Sequence, residues 1–432
     1  MNSKEFISLC QNNDIEEVQI TINTSYVATL TAVNENIEKN QIVDVTNYLI
    51  KANYNGKTVS INTEYLDESL ITILKNSSKY LEIDTKEEFI NDEQYLTREE
   101  LEKRSLNSYQ DILLKNNELR LKKYPKTYNI TQELSYITNK KEIINSLKTE
   151  LISVNSYYVF GIEVTAKDDN ESVVDANTIT AKNIEELNIE EIVIKTLEEN
   201  TLHLNEQEIK SGKYKVLFEP KATISLISFL ASMLNGESIV NKISLLDNKI
   251  DTKVFSEYLN LIEDPTDDKT PSYRPFDDEG TKTYKKNIIE NGVLKTYLFD
   301  KKTALKDNRE STGNSYSNGI GYRNLFIKPG TKSFEELLKY MNNGIIITDL
   351  LVSSGSSSIT TGSYTGQAYG FLVENGKIKS AIKNALFDTT LIDMLNNIID
   401  IGNTIEYCNS IIGSPALLID NINFIGKDKW WK

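Results

Sequence analysis

From Pro271 to Gly376, glycines, short polar turns and β-forming runs alternate without pause: PSYRPFDDEGTKTYKKNIIENGVLKTYLFDKKTALKDNRESTGNS, then RNLFIKPGTKSFEELL, then ITDLLVSSGSSSITTGSYTGQAYGFLVENGK. Turn signals at Asn291-Gly292, Pro329-Gly330 and Asn375-Gly376 punctuate the stretch. A segment written this way is predicted to fold as short strands joined by tight turns, which makes the second half of the chain β-rich. An absence is equally constraining. The chain holds one histidine, His203.

The 432 residues suffice for two domains, each with its own core. Hydrophobic content of 39% and charged content of 26% are those of a soluble globular protein. Lys+Arg number 48 against 63 Asp+Glu, a formal net charge of −15. Such a field repels nucleic acid and anionic membranes, so neither is expected as a partner. The lysine runs near Leu121–Lys126 and Lys301–Lys306 read as solvated faces. Cys10 and Cys408 are too few and too far apart for a disulfide framework and fit a reducing compartment. The N-terminus MNSKEFISLCQNNDIEEV has no cationic, apolar leader pattern. The most apolar run, Ala222–Leu234, is broken by three serines and falls short of the roughly 20 residues that span a bilayer. A cytoplasmic location is expected.

Residues 15–62 read as four strands, IEEVQITI, YVATLTAV, IVDVTNYLIKANY and KTVSIN, with a hairpin at Asn55-Gly56. Helical spacing follows over Asp67–Tyr80. Thr97-Arg98-Glu99-Glu100 resembles a capping box opening a helix near Leu101 that continues through Ser108–Lys122. Residues 127–165 read as strands and turns, and Asn183–Glu199 as an amphipathic helix. Beyond Ser211-Gly212, Tyr214–Phe218 is a short strand and Pro220 opens a helix whose apolar face carries Ile224, Ile227, Leu230, Ala231 and Leu234, with Gly236 as its stop. Two further helices are expected, Ser333–Met341 and about Asp388–Ile399. The fold class is therefore α+β: an N-terminal mixed α/β domain, residues 1–212, packed on a C-terminal β-rich domain, residues 213–432, with a few helices.

Several short motifs stand in one order along the second half: Phe276-Asp277-Asp278-Glu279-Gly280, Ile289-Glu290-Asn291-Gly292-Val293-Leu294, Ser311-Thr312-Gly313-Asn314, Asn324-Leu325-Phe326-Ile327-Lys328-Pro329-Gly330, Thr361-Gly362-Ser363-Tyr364-Thr365-Gly366, Leu391-Ile392-Asp393-Met394-Leu395 and Ile401-Gly402-Asn403. In these the chain resembles the TldD/PmbA family, bacterial and archaeal proteins described as metallopeptidases and as modulators of DNA gyrase. The resemblance covers roughly residues 205–427; the first half matches only in its order of elements. The family has two kinds of chain. The TldD kind carries an HExxxH helix and a distant cysteine that bind zinc. The PmbA kind, also called TldE, lacks them and pairs with the first. Here the corresponding helix reads Leu226-Ile227-Ser228-Phe229-Leu230-Ala231-Ser232-Met233, and the late cysteine would fall near Ile412-Gly413-Ser414. The chain thus resembles the PmbA kind. This implies no metal and no cofactor of its own, a TldD-like zinc-bearing subunit or a second copy as dimer partner, and a peptide substrate, unfolded or modified, enclosed in a chamber. Two departures stand out. The family's N-S-x-G is Asn145-Ser146-Leu147-Lys148, and its D-F-S after the T-G pair is Ser363-Tyr364-Thr365, which removes an aspartate from a loop expected near the substrate path.

The residues say the same by themselves. A hydrolytic zinc site needs about three N, S or O ligands and an open position. One histidine and two cysteines cannot supply a His-rich site. Carboxylates at Asp277, Asp278 and Glu279, or at Asp264, Asp267 and Asp268, read first as turn chemistry. His203, in LEENTLHLNEQE, reads as a surface residue, and no G-x-S-x-G gives it a serine to activate. Cys408 reads as a small buried hydrophobe. The glycines around Ser353–Gly370 match no phosphate loop. They allow close backbone approach, so an extended peptide adding to a strand there is the expected mode of contact. The candidate peptide-binding residues are Ser353, Gly355, Gly362, Ser363, Tyr364 and Gly366, with no catalytic and no metal residue assigned. The alternative is a free-standing homodimeric peptidase of the same family with a site of another kind. The closing Lys429-Trp430-Trp431-Lys432 is a candidate interface element.

Overall fold

The computed structural model describes residues 1–81, 86–96, 100–168, 171–316, 319–353, 355–383 and 385–426. The capping-box residues Thr97, Arg98 and Glu99 and the closing Lys429–Lys432 lie outside them.

The first half is one large sheet. Its strands are β1 (Glu17–Val33), β2 (Asn36–Tyr54), β3 (Lys57–Thr63), β4 (Gln94–Leu96), β5 (Thr127–Asn145), β6 (Glu150–Lys167) and β7 (Ser172–Ala181), in the order β3-β2-β1-β5-β6-β4, with β7 also on β6. All pairings are antiparallel except β4 with β6. The two strands expected over residues 15–33 are a single one. Asn23-Thr24-Ser25, polar enough to suggest a break, is paired on both sides, Asn23 to Asn47 and to Lys141. Sheet pairing overrides local propensity here.

The even-numbered side chains of β1 are the key to its packing. Val18, Ile20 and Ile22 are buried with Phe6, Cys10, Leu70 and Leu74 of α1 (Ser3–Gln11) and α2 (Ser69–Ser77). Tyr26, Ala28 and Leu30 are buried with Leu113, Val193 and Leu197 of α3 (Gln110–Lys123) and α4 (Ile189–His203). One face of a strand thus carries two helix pairs along its length. The opposite face carries Asn23, Ser25, Thr29 and Thr31. The helix expected at Leu101 begins only at Gln110, after an irregular stretch anchored by buried Leu106. At the β5–β6 turn, Lys148 stands where the family has glycine and takes a φ of +68°. Asn145 holds that turn: its Oδ1 accepts from the Leu147 and Thr149 N–H groups.

In the second half, strands Gly344–Leu351, Gly212–Phe218, Leu417–Ile425, Ala385–Thr390 and Ser363–Glu374 are neighbours in that order, and the last pairs back on the first, closing a ring. Lys377–Lys383 and the short Gln207–Glu208 extend it. A smaller sheet holds Leu261–Glu263, Lys286–Glu290, Val293–Leu294, Leu325–Ile327 and Ile412–Gly413. Helix α5 (Pro220–Met233) packs between them and begins at Pro220 as expected.

Gly236 is not its stop. The helix ends at Met233, and Gly236 opens the next one, Gly236–Val240, where its missing Cβ lets the backbone approach Leu298 and Phe299. The helix expected over Asp388–Ile399 shrinks to Leu391–Asn396. Its flanks are strands, Ala385–Thr390 against Ser363–Glu374 and Ile398–Ile401 against Leu417–Ile425. No helix among the described residues is long and apolar enough to cross a membrane.

Candidate functional site

Strand Gly212–Phe218 delivers the chain to Glu219, the N-cap of α5, and Pro220 at its first turn. Leu226, Ile227, Leu230 and Ala231 then enter the main core beside Ile412, Phe387 and Tyr364. Phe229 stacks on Tyr364 at 5.0 Å. So the helix and the strand to which the resemblance would assign zinc ligands and a late cysteine share one apolar core here. These residues offer no donor set for a metal. No group of three His, Cys, Asp or Glu side chains among the described residues could hold one either.

Cys408 packs beside the same core, and burial, then the Glu406 charge, push its thiol up to about 12. A thiol held that high keeps its proton near neutrality, which leaves little of the thiolate that acts as nucleophile. His203 departs from expectation. It is buried: its Nδ1 lies 2.8 Å from Asp175 Oδ1 and its ring stacks on Phe371 of strand Ser363–Glu374, 5.0 Å between centroids. Its polar neighbours Glu198, Asn205, Gln207 and Glu208 do stay exposed, while His203 itself turns inward. Burial opposes its charge, but the bond and charge of Asp175 prevail and raise its pKa. Among the described residues, no serine or cysteine is bonded to it.

The Asp277–Gly280 loop behaves as a built turn. Asp277 is fully buried and accepts from the N–H groups of Glu279, Thr281 and Ser315 at 2.9–3.1 Å. Gly280 takes a φ of +79° with Ile90 and Leu151 of the first half at its α-carbon. Burial raises Asp277 to about 6 and Glu279 to about 7. Asn314 of the S-T-G-N motif donates from its carboxamide nitrogen to Glu263, 2.9 Å from each carboxylate oxygen, while Lys286 Nζ pairs with Glu263 at 2.7 Å. That motif holds a buried ion pair in place.

The six candidate peptide-binding residues do not form one surface. Tyr364 is core. Gly366 is hemmed by the Leu351 carbonyl, and Gly362 takes a φ of +73° in the turn before the strand. Ser353, Gly355 and Ser363 remain partly or fully open, with Ser353 Oγ near Ser356 Oγ at 3.0 Å. Both edges of the strand are used. Residues 363–368 pair with Ala385–Thr390 on one side. On the other, the Thr365 N–H donates to Ser356 O and the Ser358 N–H to Ser363 O. Strand addition at Ser353–Gly370 therefore finds no free edge, because the chain's own residues 356–358 occupy it.

A cleft between the halves lies elsewhere, a concavity of 650 Å³ walled by Thr180 and Lys195 on one side and by Glu219, Ser333 and Glu406 on the other. The Thr180 N–H donates to Tyr407 O at its rim, 2.6 Å. Lys195 Nζ bridges Glu219 at 2.6 Å and Glu199 at 3.8 Å. Burial, with Glu219 next, pushes the Glu199 carboxyl up to about 7, and burial raises Glu406 as well. Sequence reading missed this group. In NIEELNIEEIVIKTLEEN these charges look like a solvated helix face, and their partners are distant in the chain. The arrangement can hold polar ligands, but presents no activated nucleophile.

Comparison with known proteins agrees with this geometry. The model of the PmbA/TldA metallopeptidase C-terminal domain matches residues 211–426. A metalloprotease PmbA homolog of Buchnera aphidicola is 34% identical over 223 residues, 52% of this chain and 48% of the relative. Metalloprotease PmbA of Escherichia coli O157:H7 is 32% identical over 215 residues, 50% and 46%. The chain thus spans about half the length of the curated relatives it matches. A crystallised Thermotoga maritima protein, described as a candidate modulator of a DNA gyrase, superposes with a TM-score of 0.86 at 28% identity over 98% of both chains. TldE from Thermococcus kodakarensis shares the fold, with a TM-score of 0.87 at 19% identity over 98% and 99%. On the strength of its C-terminal half, this chain belongs to the PmbA/TldD family.

Proposed function

We propose that the chain is a PmbA/TldE-like subunit that encloses and positions unfolded or modified peptides, while a metal-bearing TldD-like partner cuts them. The observation that carries this reading is α5. Leu226, Ile227 and Leu230 are buried in the same apolar core as Ile412, where hydrolysis by the family's route would need metal ligands. The other routes lack parts: His203 is spent on Asp175 and Phe371, and Cys408 is held as a neutral thiol. What the chain offers instead is a cleft between its halves and, apart from it, partly or fully open positions at Ser353, Gly355 and Ser363. In this reading it works in the cytoplasm as one member of a dimer.

Elemental analysis of the purified chain after mild dialysis tests the metal-free part. The expected result is well under one zinc per chain. About one zinc per chain would favour the free-standing peptidase of the same family.

A further inference from the structure

The polar face of the first-half sheet is not left to solvent. Cross-strand rows Asn23–Lys141–Ser153 and Ser25–Asn139–Asn155 run over β1, β5 and β6. Loop residues Pro271–Arg274, with Arg323 and Ser410, cover them, leaving a cavity of 250 Å³. Four cationic side chains line it, Lys140, Lys141, Arg274 and Arg323, and among the described residues no carboxylate does.

The charges do not balance. Lys140 pairs with Glu142 at 2.9 Å. Lys141 and Arg274 share one carboxylate oxygen, Asp278 Oδ1. Arg323 has no ion pair among the described residues. Its Nη1 donates to the Tyr322 carbonyl, and its guanidinium lies over the Tyr316 ring at 4.4 Å. The Arg274 Nε is buried with no hydrogen-bond partner. Among the described residues, a surplus of about two positive charges thus faces the cavity, in a protein of net charge −15. Burial and then the Arg274 charge lower Lys141 to about 8, and Arg323 adds to this. Gathered cations with too little counter-charge cost stability unless an anion joins them.

We propose that this cavity is an oxyanion-binding site. It takes a carboxylate or phosphate group between Arg323, Arg274 and Lys141, with Ser153 and Asn139 as neutral donors. Guanidinium groups suit such planar or tetrahedral oxyanions by geometry as well as charge. The volume admits the group and a few waters, not a folded segment. Which oxyanion fills it rests on the peptide-handling reading above. There the occupant is the C-terminal carboxylate of a peptide, anchored beside the cleft that Pro271 also lines.

Calorimetric titration of the full chain tests this with three probes: inorganic phosphate, a disordered peptide as free acid, and the same peptide as C-terminal amide. Phosphate and the free acid are expected to bind, more weakly as salt rises, and the amide at least tenfold more weakly. Arg323→Gln should weaken phosphate and free acid at least tenfold. Because Arg323 also packs on Tyr316, Asn139→Asp serves as a second variant, placing a negative charge in the cavity with little change of shape. Lys253→Gln, on an exposed cation elsewhere, should change nothing. No phosphate binding, or binding indifferent to both cavity variants, overturns the site. Phosphate binding with free acid and amide equal overturns the peptide carboxylate as occupant and leaves the oxyanion site standing.

Discussion

At Gly366 a Cβ would fall 2.6 Å from the Leu351 carbonyl oxygen and 3.0 Å from Val352, whereas at Gly355 it would meet nothing within 4 Å. The two glycines, both candidates for peptide contact by sequence, therefore answer different questions. Gly366→Val should destabilise the fold by about 1–3 kcal/mol, the usual cost of forcing atoms into a packed site. Gly355→Ala should stay within about 0.5 kcal/mol. Urea denaturation of both variants checks this, and equal stabilities would contradict the packing described around the strand. Peptide handling is then better probed at Gly355, Ser353 and Ser363, where a change does not first cost folding. His203 teaches a related lesson. Its neighbours in sequence are mostly polar, and the residues packed on it, Asp175 and Phe371, come from distant strands.

At the scale of elements, helix α5 is legible in the sequence itself. Pro220 marks its start, and Ile227, Leu230 and Ala231 mark its buried face. Its chemistry is legible too, because the histidines and glutamate of the family's metal helix are simply not written there. What cannot be read from sequence is whatever depends on a partner strand. Asp388–Ile399 has helical spacing, yet its ends are drawn into strands. Asn23–Ser25 suggests a turn, yet pairing on both sides carries β1 through it. The cleft lysine and carboxylates are hidden for the same reason, since their meeting is made by packing of the two halves. The role given to α5 as core has a direct consequence. Leu230→Ala should cost about 2–5 kcal/mol, because its surroundings are close-packed and leave a cavity. Calorimetric melting of the variant checks this. A loss under about 1 kcal/mol would mean that α5 is not packed as described.

Over the whole molecule, the join between the halves should respond to pH. Glu199 and His203 both bind a proton more tightly folded than unfolded, Glu199 at about 7 and His203 above its ordinary value. A raised folded pKa contributes stability that is complete below the unfolded pKa and is lost as pH climbs through the folded one. For Glu199 the loss runs from about pH 4.5 to about pH 7; for His203 it begins near pH 6.5 and continues upward. The melting temperature should therefore fall as pH rises from about 4.5 through about 7, and continue to fall above that for the part due to His203. Glu199→Gln should flatten the lower part of that fall, and His203→Gln the upper part. A melting temperature that rises over this range, or a slope unchanged in both variants, would contradict the buried pairing at the join.

The central claim is that this chain handles peptides without cutting them. Mass spectrometry of a disordered peptide, incubated with the purified chain alone, with a metal-bearing TldD-like chain alone, and with both, tests it most directly. We predict no cleavage by this chain alone, and more cleavage by the mixture than by the TldD-like chain. Cleavage by the lone chain, lost on His203→Ala, would contradict the account and make the protein a hydrolase in its own right.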